Sequence, residues 1–177
     1  MDRHGFIHEK MDIKILILYV LDQLPAPVEA LTLSEIVFCD DGISYFDYSD
    51  CLAELVESGH ITEESGRYQI TAEGKENVAA VGSSIPYSVR VKASKLLAPL
   101  AAQMKRMAMI SAEHTLDDDG LCTVHLSVSD GVSPVIDLRI LAPGEEAAEK
   151  MEQTFKSQAE TIYHKVAAIL LESEESK

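Results

Sequence analysis

Long apolar runs are missing from this chain of 177 residues. No stretch reaches the roughly 18 apolar residues that a membrane-spanning helix needs. The most apolar segment near the start, residues 13–21, is flanked or broken by Asp12, Lys14 and Asp22. Acidic Asp2, Glu9 and Asp12 precede it and no small-residue cleavage site follows, so a signal peptide is not expected. Cysteine is sparse and odd in number: Cys39, Cys51 and Cys122 are scattered, with no CxxC pair. That usage suits reduced, buried thiols in a cytoplasmic protein. Basic residues are scarce as well, 15 against 30 acidic ones, for a formal net charge of −15. Such a charge repels polyanions at long range. The common catalytic signatures are also absent: no Gly-rich phosphate loop, no GxSxG, no HExxH and no cysteine with a histidine beside it. An enzyme is therefore the least supported class, and no cofactor is expected.

The apolar fraction of 46% is ordinary for a folded protein and too high for a disordered one. Its distribution gives an order of elements. Ile13, Leu16, Ile17, Val20, Leu21 and Leu24 recur at helical spacing and predict a first helix over residues 9–24, stopped by Pro25 and Pro27. Thr32 with Glu35 three residues later predicts a capping box opening a short second helix. Asp40-Asp41-Gly42 is turn chemistry. Ser44 is placed to cap a third helix reaching Ser58, with Asp47 near its positive end and Gly59 just beyond its other end. Residues 60–64 and 67–71 flank Ser65-Gly66 as a hairpin, and Thr71 can cap a fourth helix. Helix, short helix, helix, hairpin, helix is the order of a winged helix-turn-helix.

Two sequence patterns add to this. LAELVESGHI followed by RYQITAEGKE resembles winged-helix regulators of the PadR, MarR and ArsR families. In those families leucines three apart precede Gly-x-Ile, and the wing ends in Tyr-x-(Ile/Leu)-Thr-x-x-Gly. The opening IKILILYVLDQL, the aromatic YFDY and the later SIPYSVR are similar to a narrower bacterial family, a domain of unknown function with the same layout and length. The first resemblance implies a DNA-binding fold over about residues 12–80, carried mostly by core and turn positions.

Beyond Ser84 the pattern changes. Pro86 can open a helix carrying Val89, Val91, Leu96, Leu97, Leu100 and Met104, which Pro99 should kink or divide. Cys122, Val124, Leu126 and Val128 alternate with polar residues, as do Ile136, Leu138 and Ile140, and a preceding strand is expected through Met107, Met109 and Ser111. Residues 144–172 read as one long helix in which Met151, Phe155, Ala159, Ile162, Val166 and Ile169 keep to steps of four and three, a heptad-like seam whose Met151, Phe155, Ile162, Val166 and Ile169 are the candidate dimer contacts. Such a helix spans about 40 Å, roughly twice the length of ordinary strands. The excess apolar face predicts a homodimer, the alternative being a helix packed wholly on its own chain. The expected fold class is therefore α+β: a winged helix-turn-helix over residues 1–83, then an α-β-β-β-α dimerisation or effector segment over 84–177 with a small antiparallel sheet and a long C-terminal helix.

The third helix is the candidate recognition element, and its charge is unusual. At about 100° per residue, Tyr48, Leu52, Leu55 and Val56 share the core side, while Asp47, Asp50, Glu54 and Glu57 cluster opposite. Four carboxylates facing phosphates are repulsive. In the wing, Glu63 and Glu64 outweigh Arg67. Residues 83–112, by contrast, carry five bases, among them Arg90, Lys92 and Lys95, and no acid. They can contact a DNA backbone or pair with the protein's own acidic surface. Metal sites are weakly indicated. His4, His8, His60, His114 and His125 lack Cys/His company, and Asp117-Asp118-Asp119-Gly120 has adjacent rather than alternating acids and reads as a turn.

Two functional readings stay open. One is a dimeric transcriptional regulator reading DNA through Ser44, Tyr45 and Ser49, with Arg67, Arg90, Lys92 and Lys95 on the backbone. The other is a winged-helix interaction module that presents Asp47, Asp50, Glu54 and Glu57 to a basic protein partner and does not bind DNA.

Overall fold

The structure, a computed structural model, describes residues 6–116 and 121–171. His4 and the acidic run at 117–120 lie outside the described residues. The fold is α+β, and the chain divides into two compact units, Met1–Met104 and Lys105–Lys177.

The first unit is built around α1 (Lys10–Asp22). The periodicity predicts one wide apolar face, yet Ile15 and Leu18 are buried along with Ile13, Leu16, Ile17, Val20 and Leu21. A helix apolar nearly all round belongs in the interior, and α1 packs on three other helices and the hairpin. Those helices are α2 (Ala30–Val37), α3 (Tyr45–Glu57) and α4 (Ala72–Val81). The hairpin strands β2 (Ile61–Glu64) and β3 (Arg67–Ile70) turn through Ser65 and Gly66, whose φ values of 52° and 77° suit a tight hairpin turn. A two-residue strand, β1 (Val28–Glu29), pairs antiparallel with β3, so the sheet order is β1-β3-β2.

That pairing explains why Thr32 does not cap α2. Val28 and Glu29 are held in register with Tyr68 and Arg67, so the helix starts at the next residue, Ala30, with Glu29 in the cap position. Thr32 then falls inside the first turn. The other two caps form as read: Ser44 accepts from the Asp47 amide and Thr71 from the Gly74 amide, each at 3.1 Å. Thr71 also donates to the carbonyls of Gly59 and His60, tying the start of α4 to the end of α3. Gly74 is required there because a Cβ would stand 2.3 Å from the His60 carbonyl oxygen.

Asp40 is more than a turn residue. It is 1% exposed, and its carboxylate accepts from the amides of Phe6, Ile7 and Gly42 at 3.0 to 3.2 Å. The segment before α1 is thereby fastened to the connection between α2 and α3. Gly42 lies under this knot, where a Cβ would meet the Ile7 carbonyl oxygen at 2.3 Å.

Helix α5 (Tyr87–Ala108) contributes Val89, Ala93 and Leu97 to the same core. It runs through Pro99 without being divided. The hydrogen bond that Pro99 cannot donate falls on the exposed side, where Lys95 and Pro99 are both open to solvent and water can take the carbonyl.

The second unit is a meander of β4 (Ile110–Leu116), β5 (Cys122–Ser129) and β6 (Pro134–Ala142), followed by α6 (Glu145–Leu171). The strand expected through Met107 begins later, because α5 continues to Ala108 and the Met109 amide still bonds back to Lys105 and Arg106. Cys122, Val124 and Leu126 of β5 face α6 and pack with Ala112, Ala142, Ala148, Phe155 and Ala159. The turn from β5 to β6 is closed by Asp130, which accepts from the Val132 and Ser133 amides at 2.8 Å each. Helix α6 breaks from helical geometry at Gln158 (φ −129°, ψ 20°), so it is two helical stretches joined by a kink. Glu152 anchors the first stretch: the His114 ring N–H of β4 donates to it across 2.6 Å, with Lys156 3.4 Å away.

Asp40 and the half-buried Glu152 each give a test. Asp40→Ala leaves three amides without an acceptor and should cost about 2–3 kcal/mol of unfolding free energy, with Asp40→Asn costing less; denaturant titration measures both. The His114 contact, chiefly, lowers the pKa of Glu152 from its ordinary 4.5. Its stabilisation is therefore complete above that value and is lost as pH falls through the lowered folded pKa. Melting temperatures taken downward from pH 5 should fall more steeply for the parent protein than for Glu152→Gln, and parallel curves would refute the assignment.

Candidate nucleic-acid interface

Helix α3 lies across one side of the first unit, and its burial pattern sorts its residues. Tyr48, Cys51, Leu52 and Leu55 are buried. Burial holds the Cys51 thiol above its ordinary pKa, and raises that of Cys39 to about 11, so both stay protonated and unreactive. At the N-terminal end, Tyr45 and Phe46 are 66% and 80% exposed and stand edge to face. Ser44 is committed to its cap, since its hydroxyl also donates to the Asp47 carboxylate at 2.6 Å. Of the three polar candidates at this end, Tyr45 and Ser49 remain to face outward.

The acidic set is divided by its surroundings. Asp47 belongs to the cap. Asp50 pairs with Lys10 of α1 at 2.9 Å, and Glu54 pairs with Lys14. These contacts raise the pKa of Lys10, mainly through Asp50, and lower that of Glu54, mainly through Lys14. Glu57 alone of the four borders the groove beside α3. Helical angles place all four on one outward face, and the ion pairs to a helix forty residues earlier leave no periodic trace.

That groove, about 640 Å3, runs between α2, α3 and the hairpin. Leu31, Tyr45, Ser49, Ala53 and Val56 give it a largely apolar wall, and among the described residues Glu57 and Glu63 supply its charges. Leu31 is 70% exposed and Tyr48, which borders the groove, has a buried hydroxyl with no hydrogen-bond partner among the described residues. Burial raises the Tyr48 pKa, so that hydroxyl keeps its proton. Sequence periodicity placed Tyr48 in the core, correctly for its ring, which meets Phe38 edge-on at 5.2 Å. It gave no sign of Leu31 or Glu63 as groove residues.

The bases are distributed over several surfaces. Arg67, in the hairpin, is exposed and lies 3.5 Å from Glu29. Arg90 and Lys95 of α5 border a separate hollow beside α1, while Lys92 does not line it. Among the described residues, no group of three His, Cys, Asp or Glu side chains could hold a metal ion, and no helix is long and apolar enough to cross a membrane.

In the second unit the seam residues part company. Phe155 is fully buried in its own core. Met151 and Ile162 border an apolar groove of about 440 Å3 with Leu126, Leu138 and Ile140. Val166 is half-buried and Ile169 is 69% exposed, followed by Leu170 and Leu171 at 79% and 80%.

This succession of elements, from α1 to the second stretch of α6, is covered by one family model. A model described as a domain of unknown function, DUF4364, matches residues 13–170. The chain belongs to the DUF4364 family. No curated protein and no solved structure matches it. Since the match takes in both units, the β-meander and α6 are as much a part of the DUF4364 layout as the helical unit.

Proposed function

We propose that this DUF4364 protein is a dimeric cytoplasmic transcriptional regulator whose first unit is a winged helix-turn-helix DNA-binding domain. The order α1-β1-α2-α3-β2-β3-α4, with β1 added to the hairpin sheet, is the arrangement that supports the winged reading. The observation that carries DNA binding is the state of α3. Its N-terminal half presents exposed Tyr45 and Phe46 and half-buried Ser49, Asp47 there is engaged by the Ser44 cap, and the carboxylates of Asp50 and Glu54 are paired with Lys10 and Lys14. Of the four acids on α3, Glu57 is then left beside the groove, with Glu63 and Glu64 in the wing. A recognition helix meets base edges mainly through its N-terminal residues, and the positive end of the helix dipole lies there too. Arg67 would supply a backbone contact from the wing, and Arg90, Lys92 and Lys95 further ones from α5.

A second reading is favoured by the groove itself. It carries no Lys or Arg among its lining residues and is apolar between Glu57 and Glu63. A basic amphipathic helix of a protein partner complements that surface better than a phosphate backbone does. One substitution separates the readings. Glu57→Lys should strengthen DNA binding under the first and weaken partner capture under the second.

Fluorescence anisotropy with duplex from upstream of the gene and with random duplex, over a salt series, tests the regulator. Affinity should fall steeply with salt, and Arg67→Ala should weaken binding and reduce the logarithmic salt slope by about one. An absence of even non-specific binding at low salt would overturn DNA binding. The dimer is assigned to the stretch of α6 after Gln158, through Ile162, Val166 and Ile169. Sedimentation should show a dimer that Ile169→Asp converts to monomer with unchanged circular dichroism; a monomeric parent protein would remove this part of the proposal.

A further inference from the structure

A hollow of about 390 Å3 lies between α1 and the first half of α5, both within the first unit. Tyr87, Arg90, Ser94 and Lys95 border it from α5, and Tyr19 borders it from α1. Its two charged lining residues are both cations, and no carboxylate borders it among the described residues. That is unusual in a chain with twice as many acids as bases, and it follows from the local sequence: residues 83–112 contain five bases and no acid.

The side chains are arranged in a way that a solvated basic surface does not need. The Arg90 guanidinium sits 5.9 Å from the centre of the Tyr87 ring, close enough for a cation–π contact. The Arg90 Nε is buried and has no hydrogen-bond partner among the described residues. A buried N–H of a charged group is costly when no acceptor meets it. Tyr87 is 76% exposed, so a further planar group can reach its ring. The Tyr19 hydroxyl and Ser94 Oγ, both lining the hollow, are 3.2 Å apart and supply additional polar atoms. A small volume, apolar side walls and a few convergent polar groups describe a small-molecule site.

We propose that this hollow binds an organic anion carried on a planar ring. Arg90 and Lys95 hold the acid group, the ring lies along Tyr87, and the Tyr19–Ser94 hydroxyl pair meets polar atoms at the far end. An aryl carboxylate and a nucleoside monophosphate share this chemistry. The inference stands whether or not the protein binds DNA.

Isothermal titration calorimetry on the full chain tests it, with 1-naphthoate and adenosine monophosphate as ringed probes and inorganic phosphate as the ringless one. At least one ringed probe should bind saturably and more tightly than phosphate. Lys95→Glu should weaken that binding by about tenfold or more, as expected for loss of a charge-assisted contact. Tyr87→Ala should weaken it as well; both residues are exposed, so these variants keep the fold even where Arg90→Gln does not. Lys92→Glu makes the same change of charge outside the hollow and should alter affinity by no more than about twofold. Any of three results would overturn the proposal: no saturation by either ringed probe at about 1 mM, phosphate binding as tightly as the ringed anions, or Lys92→Glu weakening binding as much as Lys95→Glu.

Discussion

A carboxylate buried to 1% exposure must have its hydrogen bonds met by the protein, because water cannot reach it, and Asp40 meets this demand with backbone amides from two separate segments. One segment leads into α1 and the other into α3. Both helices therefore set out from the same knot, and the first two turns of α1 come to lie along the middle of α3. Lys10 and Lys14 reach Asp50 and Glu54 for that reason. The electrostatic character of the α3 surface is thus a consequence of where a single buried acid places two helix starts. Gly42 belongs to the same constraint, since no side chain fits between the knot and the Ile7 carbonyl.

Net charge alone would suggest a uniformly repulsive molecule, but the placement of charges gives a different picture. In the first unit the lysines of α1 offset Asp50 and Glu54 of α3, Glu57 and Glu63 line one groove, and α5 presents bases with no acid among them. Exposed ion pairs contribute little to stability. Their larger effect here is on recognition: they decide which charges an approaching partner meets. An acidic protein can accept an anion only where its own carboxylates are absent, and the stretch of α5 beside α1 satisfies that condition.

What could be read from the sequence was governed by how local each interaction is. Ser44 and Thr71 cap their helices, Ser65-Gly66 turns the hairpin, and β5 alternates inward and outward residues, all through neighbours a few positions apart. Thr32 fails as a cap because strand β1 pairs with residues nearly forty positions later and moves the start of α2 forward. Asp40 reads as a turn residue since its partners at Phe6 and Ile7 are more than thirty positions away. The division of the acidic set on α3 was hidden for the same reason. Helical angles show which residues share a face, but not which of them are met by another element. The hollow beside α1 was partly legible as a basic, acid-free segment, though Tyr19, which completes it, comes from a different helix.

The seam along α6 shows how one periodicity can span residues in different surroundings. Alternating steps of four and three keep residues on one stripe only while the helix is continuous, and the non-helical geometry at Gln158 interrupts it. Phe155, before the break, closes the core of its own unit, whereas Ile169, Leu170 and Leu171, beyond it, are left exposed. Contiguous exposed apolar residues at the end of an amphipathic helix call for a partner. The stretch after the kink is about 20 Å long, which is short for a self-sufficient coiled coil. Ile162 sits at the junction, lining the apolar groove with Leu138 and Ile140. The break at Gln158 therefore separates residues that close the unit's own core from residues left exposed at the helix end, with Ile162 between the two groups.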